Sequence, residues 1–301
     1  MKSNLHLLVI DPQNDFCDLP ADYLPSCRHV FRHALQPVDP PCTDTYLPAL
    51  AVPGAHADML RVAELIGRGM GGLSNISLTL DSHHRLDIAH PTFWNDARGN
   101  PVLPFTVVSA DDVRNGRYLP RNPVSLPRTL AYLDALETAG RYQLMVWPIH
   151  CQIGSWGHNI HADVLSATNR WEDSQLRIAD KICKGTNPWT EHYSAVLAEV
   201  PDADDPATQL NRHFLDSLAQ ADRVFIAGEA GSHCVKATTE HIVDNADPAT
   251  LSKFVLLTDC MSPVTGFDAQ YDGFVHDMKA CGVQLATAAD VLPDLIANAR
   301  R

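Results

Sequence analysis

The chain has 301 residues, with 23 Lys and Arg against 36 Asp and Glu and a formal net charge of −13. Its 45% hydrophobic and 20% charged residues are ordinary globular usage, which excludes a mainly disordered chain and leaves ample length for a buried core. The acidic balance, with no local Lys/Arg cluster, sets the chain against nucleic acid, and no apolar run approaches the ~18 residues that a spanning helix needs.

After Met1-Lys2-Ser3-Asn4 comes a short apolar run, Leu5 to Ile10, with no small-residue cleavage site; it reads as a first strand ending at Asp11. A soluble cytoplasmic protein without membrane contact is expected. Residues 17–53 hold seven prolines and three cysteines and read as a long insertion. Ala55 to Met70 follows, with Met59, Val62, Ala63 and Ile66 at helical spacing. Ile76 to Leu80 reads as a strand ending at Asp81, and residues 95–128, rich in Pro, Arg and Asn, as a second insertion. Gln143 to Ile149 reads as a strand ending at His150, Thr208 to Gln220 as a helix, and Arg223 to Ala227 as a strand ending at Gly228. Then come a helix from Val235 to Val243, a strand from Lys253 to Thr258, a helix from Ala269 to Cys281 and a last strand, Gly282 to Ala286, followed by a turn at 288–290. Near-continuous apolar strands alternating with helices predict one α/β domain over 1–301. Its architecture is a doubly wound, mainly parallel six-stranded sheet with helices on both faces.

In such sheets ligands bind beyond the carboxyl ends of the strands, where Asp11, Asp81, His83, His150 and the Gly228–Cys234 turn collect. Asp81-Ser82-His83 aims two alternate side chains to one side, and His150 from another strand completes a mixed N/O face suited to Zn²⁺, Mn²⁺ or Fe²⁺. With 15 histidines in the chain, His84, His90, His158 and His161 among them, structural histidines are the competing reading. Cys234 opens a helix, whose free amides suit both a thiolate and an oxyanion; a buried capping cysteine is the alternative. Adjacent side chains generally point apart, so a His233–Cys234 dyad is not the first choice. Asp11 is the better proton acceptor, with Lys184 of Lys184-Gly185-Thr186 as the positive neighbour. None of the eight cysteines forms a CxxC pair, which argues against a zinc ribbon or a disulfide framework.

These pieces, LLVIDPQNDF at 7–16, TLDSHH at 79–84, VWPIHCQIGSWG at 146–157, KGTNP with YSA at 184–195 and AGEAGSHCVKAT at 227–238, resemble the nicotinamidase branch of the isochorismatase-like cysteine hydrolases in family order. The resemblance implies a catalytic triad of Asp11, Lys184 and Cys234 and metal ligation by Asp81, His83 and His150, zinc first and manganese or iron next. It also implies a cis peptide at Glu229–Ala230, aiming the Ala230 and Cys234 amides at an oxyanion. The activity implied is hydrolysis of nicotinamide to nicotinate and ammonia through a thioester, with Phe16, Trp94 and His233 as pocket candidates and Trp156 and His158 behind them. The implied assembly is a homodimer or homotetramer. Other readings are a related hydrolase of another small amide, a ureido or carbamoyl compound or a cyclic imide; a non-catalytic binder on the same scaffold; and a thiol redox protein.

Overall fold

Leu5–Ile10 (β1) is buried at every position, so this strand belongs where both faces of a sheet are covered. The computed structural model describes residues 2–25 and 47–301. In it β1 lies between β2 (Asn75–Asp81) and β8 (Arg223–Gly228), with β7 (Asp180–Lys184) outside β2 and β9 (Phe254–Leu257) and β10 (Gln284–Ala286) outside β8. Every pairing in this six-stranded sheet is parallel.

The helices among the described residues are α1 (Ala55–Gly69), α2 (Ala110–Arg114), α3 (Leu126–Ala139), α4 (Ala162–Gln175), α5 (Arg212–Ala219), α6 (Cys234–Asn245), α7 (Asp268–Cys281) and α8 (Ala288–Ala299). α1 buries Met59, Val62, Ile66 and Gly69 along one stripe and packs on α4 and α8, while α6 packs on α7. Ser109 and Thr287 start α2 and α8 with capping boxes to Asp112 and Asp290. None of the described helices is long and apolar enough to cross a membrane.

Three expectations need correction. The apolar run 143–149 is not a strand of the main sheet: β6 (Leu144–Val146) pairs antiparallel with β4 (Thr106–Val108). Its apolar side chains serve a second core, in which Leu144 and Val146 join Ile88, Trp94, Val108, Val113 and Leu133. The sixth main strand is β7, an edge strand whose exposed Asp180 and Lys181 hide it from any search for apolar runs. The turn expected at 288–290 is the first turn of α8. The insertion at 95–128 carries β4, α2 and β5 (Tyr118–Pro120), the last paired with β3 (Trp94–Asp96). Most of the other insertion, residues 26–46 with Cys27 and Cys42, lies outside the described residues.

Candidate active site

Four neighbouring strands, in the order β8-β1-β2-β7, end on one edge of the sheet and deliver Gly228, Asp11, Asp81 and Lys184 there. Gly228 pairs with Ile10 at φ +123°, where a Cβ would lie 2.0 Å from the Ile10 carbonyl oxygen. Only glycine lets β8 approach β1 so closely. Asp11 itself turns off β1 at φ +45°, a left-handed conformation that Asp tolerates better than most residues. Its backbone N–H donates to Thr79 Oγ1 at 3.0 Å, and the Thr79 hydroxyl donates back to Asp11 Oδ1 at 2.5 Å.

Lys184 Nζ is the hub. It lies 2.9 Å from Asp11 Oδ2, 3.0 Å from Asp81 Oδ1, 3.0 Å from the His192 carbonyl and 3.6 Å from Cys234 Sγ. All of these side chains are buried. Burial alone would lower the lysine's pKa, but the Asp11 and Asp81 carboxylates hold it well above the usual range, so Lys184 stays charged. Burial pushes the Cys234 thiol well up, with Lys184 opposing and Asp11 and Asp81 adding to the rise. Cys234 is therefore held as a thiol despite its place at the start of α6, and a nucleophilic role would require a proton acceptor. Asp11 has the right character: burial raises its pKa, Lys184 works against the rise and Asp81 with it. Apart from the Lys184 ion pair, Asp11 Oδ2 has no partner among the described residues.

Cys234 follows a turn in which the Glu229–Ala230 peptide is cis. His233 N–H and Val235 N–H both donate to the Ala230 carbonyl, at 3.0 and 3.2 Å. Among the described residues the N–H groups of Ala230 and Cys234 have no protein acceptor, which leaves two donors beside the sulfur.

The second half of the site is joined to the first by Asp81. While Asp81 Oδ1 takes Lys184, Oδ2 lies 3.0 Å from His83 Nε2 and 3.2 Å from His150 Nε2. Burial would raise this carboxyl, but His83 and Lys184 hold it well below the usual range. A residue not singled out from the sequence completes the set. Fully buried His90 brings a third imidazole, and ligand atoms of His83, His90 and His150 all lie within 4.8 Å of one another. His83 Nδ1 lies 3.0 Å from Asp87 Oδ2, His150 Nδ1 2.8 Å from the Pro148 carbonyl and His90 Nδ1 3.3 Å from the His84 carbonyl. Acceptors on Nδ1 of His83 and His90 leave the Nε2 atoms of those two rings facing the group, as in metal-binding histidines, while His150 Nδ1 also lies 3.3 Å from His90 Nε2. Three converging imidazoles, two of them in contact with the Asp81 carboxylate, are a donor set that fits zinc, manganese or iron.

A small cavity, about 20 Å³, adjoins Cys234 and is lined by Phe16, Asp81, His150, Glu191, Ala230 and His233 among others. Phe16 stands edge-on to His150 with ring centroids 5.5 Å apart. Glu191 was not legible in the sequence. Its Oε1 accepts the His192 N–H at 3.0 Å, whereas its Oε2 is buried without a partner among the described residues. Trp94 does not line this cavity: it lies in the second core, where its Nε1 donates to the Ile88 carbonyl at 2.7 Å. Trp156 and His158 do not line it either, and His158 Nε2 lies 2.9 Å from Ser82 Oγ.

No protein-family model and no curated protein matches the sequence. Solved structures do. The chain is similar to an Acinetobacter baumanii nicotinamidase/pyrazinamidase, with TM-score 0.57 and 19% identity over 96% of this chain and 98% of that one. It is similar to the yeast nicotinamidase bound to the inhibitor nicotinaldehyde, with TM-score 0.57 and 17% identity over 94% and 99%. A Pyrococcus horikoshii pyrazinamidase in complex with zinc matches with TM-score 0.51 and 19% identity over 94% and 99%. At these identities the likeness is one of architecture: the chain has the isochorismatase-like α/β fold of the nicotinamidases.

Proposed function

We propose that this protein is a metal-assisted cysteine amidohydrolase of the nicotinamidase type, which converts nicotinamide and water to nicotinate and ammonia. The observation that carries the reading is the single buried hub in which Lys184 touches Asp11, Asp81 and Cys234, next to two unengaged amides. A binding protein has no need of that combination. The fold shared with nicotinamidases and with a pyrazinamidase in complex with zinc supports the same conclusion.

In the proposed reaction Asp11 takes the Cys234 proton, and Sγ attacks the amide carbonyl carbon. The carbonyl oxygen, now an anion, is held by the Ala230 and Cys234 N–H groups. Asp11 passes its proton to the amide nitrogen, the C–N bond breaks, ammonia leaves and a thioester remains. Asp11 then takes a proton from water as its oxygen attacks the thioester, and returns that proton to Sγ as the acid is released. Lys184 stays charged throughout and balances whichever neighbour is anionic. Asp81, His83, His90 and His150 would hold the divalent ion, zinc before manganese or iron, which supplies a positive charge and a coordination position for a substrate ring nitrogen or a water.

Ammonia release from nicotinamide by metal-replete protein tests the reading, together with mass spectrometry of the acid-quenched enzyme. Turnover and a nicotinoyl adduct on Cys234 are expected, and Cys234→Ala is expected to lose activity by ~10³-fold or more with its metal content intact. Undiminished turnover in Cys234→Ala would remove Cys234 as the nucleophile.

A further inference from the structure

The cavity beside Cys234 shares Trp147, Tyr193 and His233 with a second, larger cavity of about 720 Å³. His233 is the partition between them. Its ring meets Trp147 edge-on at 5.1 Å, Phe267 at 4.6 Å and Tyr193 at 5.5 Å, so the two cavities are divided by packed aromatic rings. The outer cavity lies within the size range of sites for molecules larger than a single ring, ~300–1,000 Å³. Part of its wall, Val107 and Ser109, comes from the 95–128 insertion, and another part, Met145, comes from the strand paired with it. Lys236 also lines it; the ammonium lies 2.8 Å from Glu240 Oε1, which leaves it with donors to spare for a ligand acceptor.

Resting on the reading of the site as a primary-amide hydrolase, we infer that the preferred substrate is a carboxamide whose acyl part carries a second, flat segment, seated beyond His233 and ending in a hydrogen-bond acceptor near Lys236. The leaving group in that reaction is ammonia, which needs no such space, so the extension belongs to the acyl side. The aromatic side chains that both cavities share suit a planar segment and the spare ammonium donors a terminal carboxylate or carbonyl. The insertion thus acquires a role: through Val107 and Ser109 it supplies part of the wall of the extended substrate site.

The test compares kcat/KM for nicotinamide, for nicotinamide bearing a phenyl group at ring carbon 5 or 6, for the same compounds with a carboxylate on the phenyl ring, and for N-benzylnicotinamide. An extended acyl compound is expected to exceed nicotinamide by at least ~10-fold. Gln143→Trp places a large ring on the exposed wall of the outer cavity. It is expected to abolish that preference while nicotinamide turnover and the melting temperature stay as in the wild type. Lys236→Met is expected to lower kcat/KM for the carboxylate compounds by ~10-fold relative to the plain phenyl ones. Extended acyl amides no better than nicotinamide, an equal loss on all substrates in Gln143→Trp, or preferential cleavage of the N-benzyl compound would each overturn the inference. If no amide acylates Cys234, the hydrolase reading itself falls, and this inference with it.

Discussion

Glu191 keeps one carboxyl oxygen without a partner among the described residues, walled in beside Asp81 and His150 at the cavity next to Cys234. A buried oxygen left unmatched costs ~1–3 kcal/mol, a cost that a ligand donor relieves. Glu191→Gln can retain the His192 contact through its amide oxygen and removes the acid. It is expected to melt at or above the wild-type temperature and to lose ~10-fold or more in kcat/KM. Unchanged kinetics would leave the orphan oxygen without a role. Glu199 makes a different statement. Burial pushes its pKa up to about 7, with Arg141 opposing and Glu191 and Glu240 adding. Below its ordinary value of 4.5 both folded and unfolded chains hold the proton; between 4.5 and about 7 only the folded chain does. The stability this supplies is therefore complete at acid pH and lost as pH rises through about 7, on the order of 3 kcal/mol at most. Glu199→Gln should flatten that slope, so the difference in urea midpoint between variant and wild type shifts in favour of the variant from pH 4.5 to pH 8. A difference independent of pH would show that Glu199 does not titrate in that window. At this scale, legibility followed position. Asp11 and Asp81 end readable strands and Cys234 opens a helix, places where the register says what lies nearby; Lys184 ends a strand that was itself hidden, and it was the Lys184-Gly185-Thr186 motif that marked it. His90 and Glu191 sit in irregular segments, where only tertiary contacts bring them to the site.

At the scale of elements, burial on both faces made β1, β2, β8 and β9 readable, and its absence hid β7. Asp180–Lys184 lies at the sheet edge with most of its residues exposed or half-exposed, so nothing in its composition marks it as a strand. α8 was hidden for another reason: Pro293 lies inside it and argues locally against a helix. α8 packs on α1 and is tied as well to the segment after α1 and to the N-terminus. Asn298 Nδ2 donates to the Gly72 carbonyl at 2.8 Å and to the Ser3 carbonyl at 2.9 Å. A Cβ on Gly72 would lie 1.9 Å from the Leu295 carbonyl oxygen and 2.6 Å from its carbon, so α8 would have to move as a body. Gly72→Ala is therefore expected to destabilise the fold by ~1–3 kcal/mol, lowering Tm by roughly 2–10 °C. Gly72 precedes β2, at the end of the sheet opposite Asp81, so kcat/KM at 25 °C should not change. An unaltered melting curve would mean that α8 is not pinned there.

The whole molecule joins two cores through the candidate metal site. Asp81 and His83 follow from the main sheet, while His90 and His150 lie on either side of the stretch that builds the second core. That stretch leaves through residues 88–94 and returns through 144–150, with the Trp147 N–H on the Ala89 carbonyl at 2.7 Å and the His83 N–H on the Cys151 carbonyl at 3.0 Å. An ion held by Asp81, His83, His90 and His150 would tie both ends of the second core to the sheet. Any ligand that binds only the folded state stabilises it by RT ln(1 + [L]/Kd), ~4 kcal/mol at a thousandfold excess over Kd. Chelation is accordingly expected to lower Tm by roughly 10 °C and to raise amide hydrogen exchange chiefly across residues 94–146, with β1 and β8 protected as before. His150→Ala should match the chelated wild type in both readouts and gain nothing from added zinc. If chelation leaves Tm and exchange unchanged in a protein shown beforehand to carry metal, the four side chains are not where that metal binds. If exchange rises evenly over both cores instead, the ion stabilises the fold without linking them.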